Sequence, residues 1–153
     1  GFLYGVHTPT NDALVEAIRN GRGLATGKGT GALIHDNDLA AAVLAALAHA
    51  ADGVIVLNIV DDTPAPLNDV LQTLGQEIGV EPVTLSGFWA ERRVGDLQRA
   101  LLNQSSAVDN SKAKDVLNWS LEYPSHPVGI EKMLLLWRVE EADEVASTEI
   151  IEA

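Results

Sequence analysis

Cysteine is absent from the 153 residues, so the chain holds neither a disulfide nor a thiolate metal site. This fits a reducing compartment, and a cytoplasmic location is the expectation. Aromatics are scarce. Three Trp, two Tyr and two Phe leave a core of aliphatic residues and alanine. Bases are few as well: ten Lys and Arg stand against 22 Asp and Glu, for a net charge of −12. Duplex DNA, RNA and anionic lipid are therefore not expected partners, because affinity for them rests on Lys and Arg at phosphates. No apolar run reaches the roughly 18 residues of a membrane span. The longest, Leu39 to Ala51, is mostly alanine and is interrupted by His49. No signal peptide is read at the front of the chain. What is present is a 46% hydrophobic composition, enough to bury a core, over a length that sets one domain as the expected count.

Gly1 to Val6 reads as a short apolar strand. Thr10 to Asn20 reads as a helix capped by Thr10 or Asn11, with Leu14, Val15 and Ile18 on one face and Gly21 closing it. Five glycines, at 21, 23, 27, 29 and 31, predict a flexible hairpin-like loop leading into Ala32-Leu33-Ile34. Asp38 is the expected N-cap of a helix from Leu39 to about Ala50, with Leu39, Val43, Leu44 and Leu47 as its apolar stripe. Val54 to Val60 is a nearly continuous, β-branched apolar run, the signature of a strand buried on both faces in a parallel sheet. Asp61-Asp62 reads as a solvated turn at its end. Pro66 then opens a helix with Leu67, Val70, Leu71, Leu74 and Ile78 on one face, stopped by Gly79.

Val83-Thr84-Leu85 suits a short strand, and Phe88 to Leu102 has helical spacing broken by Gly95. Asn110 caps a short helix through Leu117, and a last helix runs from Val128 to about Glu140. Residues 140–153 carry six acids and no base, so 141–153 is expected to be a disordered acidic tail behind a single α/β domain at 1–140. Few strands against four or five helices make an incomplete layer, with a sheet edge and an apolar face left uncovered.

Several of these segments, in this order, carry a resemblance. They are Tyr4-Gly5, His35-Asp36-Asn37-Asp38-Leu39-Ala40, Leu57-Asn58-Ile59-Val60, Lys112-Ala113-Lys114 with Leu117-Asn118-Trp119, and Tyr123-Pro124-Ser125 with Gly129-Ile130. Over roughly residues 1–137 the chain resembles the C-terminal, substrate-side half of an NAD(P)-dependent epimerase/dehydratase, an extended or atypical short-chain dehydrogenase. In that family a glycine precedes the tryptophan. Here it is Asn118, which also tolerates a left-handed backbone. In the family's His-x-Asp-Asp run the third position is Asn37.

The resemblance implies an α/β fold that is a partial Rossmann-like arrangement, with few parallel strands and four to five helices. It implies that NAD or NADP belongs to a full-length parent. It also implies a sugar-nucleotide-like ligand, with Tyr4 and His7 where the substrate pocket opens and Arg92 and Arg93 in a lid able to clamp a phosphate. The family's glycine-rich nucleotide fingerprint and its Tyr-x-x-x-Lys proton-transfer pair are not among these residues: Tyr4 is followed four positions on by Thr8, and Tyr123 by Pro127. No catalytic, cofactor-binding or metal-binding residue is therefore assigned, and the chain by itself is expected to be inert. The rival reading is a free-standing, non-enzymatic assembly module. It would be a homo-oligomer, or would pair with a separate chain that supplies the other half.

Other motifs have plainer readings. Thr26-Gly27-Lys28-Gly29-Thr30 fails as a Walker loop, since Arg22 and Gly29 stand where Gly and Ser or Thr are required. His35 between acids reads as helix capping plus a hydrogen-bonded imidazole, because no second imidazole sits at ligand spacing. His7 as an exposed loop residue, and Arg92 and Arg93 as ordinary ion pairs, are the plain alternatives to substrate contacts. Trp119 and Trp137 are expected to anchor the core, and Trp89 is undecided.

Overall fold

The structure is a computed structural model describing residues 2–6, 8–49, 53–88, 92 and 94–151. Its centre is a parallel pair, β1 (Phe2–Tyr4) and β4 (Leu33–His35), in the register Phe2↔Leu33 and Tyr4↔His35. Successive side chains on a strand point to opposite faces. Leu33 accordingly enters one hydrophobic cluster and Ile34 another. Both faces of this pair are covered, as a parallel sheet requires.

The first cluster is built by three helices. They are α1 (Pro9–Arg19), α3 (Leu67–Ile78) and the long closing helix α6 (His126–Ile151). Val15 and Ile18, Leu71 and Leu74, and Ile130 and Met133 meet there. Truncating one of these to alanine would cost about 2–5 kcal/mol in a site this tightly closed. Trp137 packs against the rim of this cluster, with the Arg19 guanidinium 5.6 Å from its ring centre. The second cluster joins Ile34 and Ala42 of α2 (Asp36–Ala48) to Ala113 of α5 (Ser111–Leu117) and to Trp119. Both tryptophans thus serve as packing anchors; Trp89 lies outside the described residues.

Short ladders complete the frame. Helix α1 is followed by β2 (Leu24–Ala25), which pairs in parallel with β6 (Thr84–Leu85). The strand β3 (Thr30–Gly31) pairs antiparallel with β5 (Ala65–Pro66). The segment 21–31 is therefore no hairpin, because its two arms bond to different partners. A further helix, α4 (Asp96–Asn103), starts just after Gly95. Among the described residues no helix is long and apolar enough to cross a membrane.

Several sequence expectations are corrected. Helix α1 begins at Pro9 with Thr8 at the cap, because proline's fixed φ suits the first helical position. Helix α2 begins at Asp36, not Leu39, with His35 at its cap. Of its expected stripe only Leu39 packs on the core; Val43, Leu44 and Leu47 are exposed, and the buried positions are Asp38 and Ala42. Residues 54–60 form no ladder, and their only buried member is Val60. Asp61 is not solvated but buried. Asn110 stands at the N-cap of α5, yet its side chain donates to the Val60 carbonyl and to Asp62. The last helix does not stop near Glu140 but is helical to Ile151, a stretch with neither glycine nor proline to break it.

One local expectation is met in its geometry. Asn118 closes α5 at φ 48° and ψ 42°, the left-handed region. The following amide, of Trp119, then bonds back to the Lys114 carbonyl at 3.2 Å. Asn118→Val should cost about 1–2 kcal/mol in urea unfolding, while Asn118→Gly should be neutral or better. An equal loss in both variants would show that the side chain, not the backbone angle, is what the site needs.

Candidate substrate cavity and the buried polar cluster

The parallel register of β1 and β4 brings their carboxyl ends together, with Tyr4 beside His35. In open α/β sheets this end of the strands is where ligands collect. Here it is packed with polar side chains. His35 lies edge-on to Tyr4, with ring centres 5.2 Å apart, and stacks on Tyr123 at 4.0 Å. Tyr4 is buried, and its hydroxyl donates to the Ser125 carbonyl at 3.4 Å. Burial, then the charges of Asp61 and Asp38, push this phenol up, so it stays protonated and is no base at neutral pH.

The Asn37 amide is 3.2 Å from His35 Nδ1 and 2.7 Å from Asp36 Oδ1, and these two atoms are only 2.9 Å apart. Two bare lone pairs would repel at that distance. The ring therefore carries its proton on Nδ1, toward Asp36, and the Asp36 carboxylate holds the amide. Burial lowers the pKa of His35 against the opposing charges of Asp36 and Asp38, so the ring is neutral. Its Nε2 is then a buried acceptor without a partner among the described residues.

Two acids in this cluster do different work. Asp38 is 2% exposed and accepts the backbone N–H of Glu122 at 2.8 Å and of Tyr123 at 2.9 Å. It ties the first turn of α2 to the segment that leads into α6. Asp61 is 1% exposed. One of its oxygens accepts the Thr63 amide at 3.3 Å, and the other has no partner among the described residues. Burial pushes its pKa up to about 7; the nearby charges of Asp62 and Asp38 add to this, and the Thr63 amide opposes it. Its neighbour Asp62 is held low instead, mainly by Lys114 and also by Asn110.

A cavity of about 600 Å³ lies at the other end of the strand pair, against Phe2 and Leu33. Phe2, Leu33, Ala65 and Val70 give it an apolar wall, and Gln104 and Ser106 bring polar groups to its edge. Gly29 and Gly31 also line it, and the glycine segment lies close against residues 102–104. A Cβ on Gly27 would stand 2.2 Å from the Leu102 carbonyl oxygen, and one on Gly29 would stand 2.3 Å from that of Gln104. The two segments are stitched by Gly29 N–H to the Leu102 carbonyl at 3.0 Å, Thr30 N–H to Ser105 Oγ at 3.2 Å, and Ser106 N–H to the Thr30 carbonyl at 2.8 Å. The glycines predicted as a flexible loop are thus a tight seam. A second cavity of about 340 Å³ shares Leu102 and is more polar, with Lys28, Ser86 and Asn103 on its wall. Arg99 also lines it and is paired with Asp96.

Of the four residues proposed from sequence, the structure describes Tyr4 and Arg92. Tyr4 is a core side chain and lines neither cavity. Arg92 is exposed and also lines neither, its guanidinium 5.3 Å from the Phe88 ring centre. His7 and Arg93 lie outside the described residues. Sequence reasoning missed Gln104 and Ser106. The available signal was the small polar run Asn103 to Ser106, the right composition to lie against a glycine seam. Among the described residues no group of three or more His, Asp or Glu is placed to hold a metal ion.

No family model matches the chain, and no curated protein matches it either. Solved structures do. A conserved protein of unknown function from Silicibacter pomeroyi superposes with a TM-score of 0.74 at 23% identity, over 88% of this chain and 46% of its own. A human epimerase family protein solved with NADPH gives 0.73 at 20% identity, over 87% and 45%. UDP-N-acetylglucosamine 4-epimerase from Bacillus cereus gives 0.64 at 20%, over 90% and 44%. At these identities the likeness is one of fold: a partial Rossmann-like α/β fold of the NAD(P)-dependent epimerase, or extended short-chain dehydrogenase, type. The chain spans less than half the length of each of these structures.

Proposed function

We propose that this chain is the substrate-side portion of an NAD(P)-dependent epimerase/dehydratase-like protein, inert when isolated. The observation that carries the reading is the asymmetry of the superposition: nearly all of this chain matches less than half of each neighbour. The cavity of about 600 Å³ is large enough for a sugar-nucleotide-like ligand, with an apolar wall for a ring and Gln104 and Ser106 for polar edges. NAD or NADP would be held by the rest of a longer parent. The residues present do not suit it: the Gly27–Gly29 stretch is closed against residues 102–104 and opens no helix, so it offers no cradle for a pyrophosphate.

The test has two parts. The purified 153-residue chain should show no NAD(P)H-dependent turnover of UDP-N-acetylglucosamine and no saturable NAD(P)H fluorescence change. The cellular species that contains this sequence should show both NAD(P)H binding and heat on titration with sugar nucleotides. Turnover by the isolated chain would refute the inert portion; a cellular species that binds neither nucleotide would refute the parent. The exposed apolar residues on α2 and at 54–56 favour one second reading, an assembly module whose open face is covered by its own kind or by a separate chain.

A further inference from the structure

Among the described residues, no charged side chain lines the cavity of about 600 Å³. Phe2, Leu33, Ala65, Leu67 and Val70 give it carbon surface, and its polar side chains are Gln104 and Ser106, both exposed. Backbone donors of the wall are engaged elsewhere. The Phe2 amide bonds to the Ala32 carbonyl at 2.6 Å, the Gly29 amide to that of Leu102 at 3.0 Å, and the Ser106 amide to that of Thr30 at 2.8 Å. Amides spent in this way form no nest for an anion. Lys28 and Arg99 line the second cavity instead, which shares Leu102 with this one. Gly31 keeps the room open. It lines the cavity, and a Cβ there would meet nothing nearer than the Ala65 carbonyl oxygen at 3.8 Å.

A phosphate brought against such a wall would lose its hydration and gain no cation. Each ring hydroxyl left without a partner there would also cost affinity, and two edge side chains can serve few of them. We propose that this cavity seats an uncharged ring with few hydroxyl groups, laid against Phe2, Leu33 and Val70 and oriented by Gln104 and Ser106, while any phosphate of the same ligand stays outside it. This rests on the functional reading above and names the part of the substrate that this chain selects. A deoxygenated ring, or a neutral cyclic alcohol or ketone, is thereby favoured over a hydroxyl-rich sugar.

Cyclohexanol, myo-inositol and inorganic pyrophosphate separate these properties. The first two share one carbon ring and differ in hydroxyl number; the third carries charge without a ring. Binding is read by ligand-observed NMR in two samples. One is the 153-residue chain, and the other is the NAD(P)H-binding species carrying this sequence, isolated from cells with an antibody to the chain. In both, cyclohexanol should bind saturably. Displacing it with myo-inositol should take at least about tenfold more ligand, the cost of one stranded hydroxyl, and pyrophosphate should not displace it. Gly31→Leu should fill the room and abolish cyclohexanol binding, with a melting curve to show that the variant folds. Gln104→Ala combined with Ser106→Ala, at exposed positions, should weaken binding about three- to tenfold. Displacement by myo-inositol or pyrophosphate at cyclohexanol's own concentration overturns the seat and leaves the functional reading standing. So does cyclohexanol binding that the double variant and a folded Gly31→Leu leave unchanged. Cyclohexanol bound by the chain alone but not by the NAD(P)H-binding species also overturns it, because the rest of the protein then fills the cavity. Absence of any NAD(P)H-binding species overturns the functional reading, and the cavity's role as a substrate seat with it.

Discussion

Replacing Asp38 with alanine is expected to cost about 3–5 kcal/mol in urea unfolding, for a side chain that sequence alone would assign to helix capping. The buried carboxylate accepts two backbone N–H groups, those of Glu122 and Tyr123. Removing it strands two buried donors, at about 1–3 kcal/mol each. A lost N-cap would cost only about 1 kcal/mol. The size of the loss therefore decides between a local cap and a tertiary tie. Asp38→Asn should fall between, since its one carboxamide oxygen can serve only one of the two amides well. Asn37→Ala, which removes only a side-chain hydrogen bond to Tyr123 at an exposed position, should cost no more than about 1 kcal/mol. A loss near 1 kcal/mol for Asp38→Ala would mean that residues 122 and 123 hold their place without it.

Raising the pH from 4 to 8 is expected to weaken the fold through Asp61. Burial holds its folded pKa at about 7 against an ordinary value near 3.8. Between those two values the folded chain keeps a proton that the unfolded chain has released. Stability from this group therefore falls as pH rises through that window, and the loss is complete above about 7. A shift of about three units sets a ceiling near 4 kcal/mol. His35 acts in the opposite sense. Its lowered pKa keeps it neutral when folded, so its contribution is lost as pH falls below about 6.5. Asp61→Asn removes one effect and leaves the other. The difference between parent and variant, measured by urea unfolding at pH 4 to 8, should change by a few kcal/mol in the variant's favour. Parallel curves would show that Asp61 titrates alike in the folded and unfolded chain.

The two acids show why the site was only partly legible. A polar residue before an apolar helical run reads as a cap, and Asp38 has that position. What it bonds to is 84 residues away in sequence for Glu122, and no local pattern carries that information. Asp61 follows an apolar run, where a turn is the ordinary outcome, but its amide bonds to Leu33 and draws the carboxyl inside. The glycine seam failed for the same reason: spacing shows freedom of the backbone, not the carbonyls of Leu102 and Gln104 that press against it.

Local chemistry was enough for the helices, because their signals are local. The 3–4 spacing of Val70, Leu71 and Leu74, the stop at Gly79 and the left-handed turn at Asn118 each act within a few residues. Composition alone set the charge, the aliphatic core and the absence of thiol chemistry. Tertiary structure alone decided which apolar runs are covered. Val54 to Val60 has the composition of a doubly buried strand, yet burial needs a neighbour on each side, and the fold supplies one. A sequence states what a segment is suited to contact; only the folded chain, with whatever completes it, determines whether that contact exists.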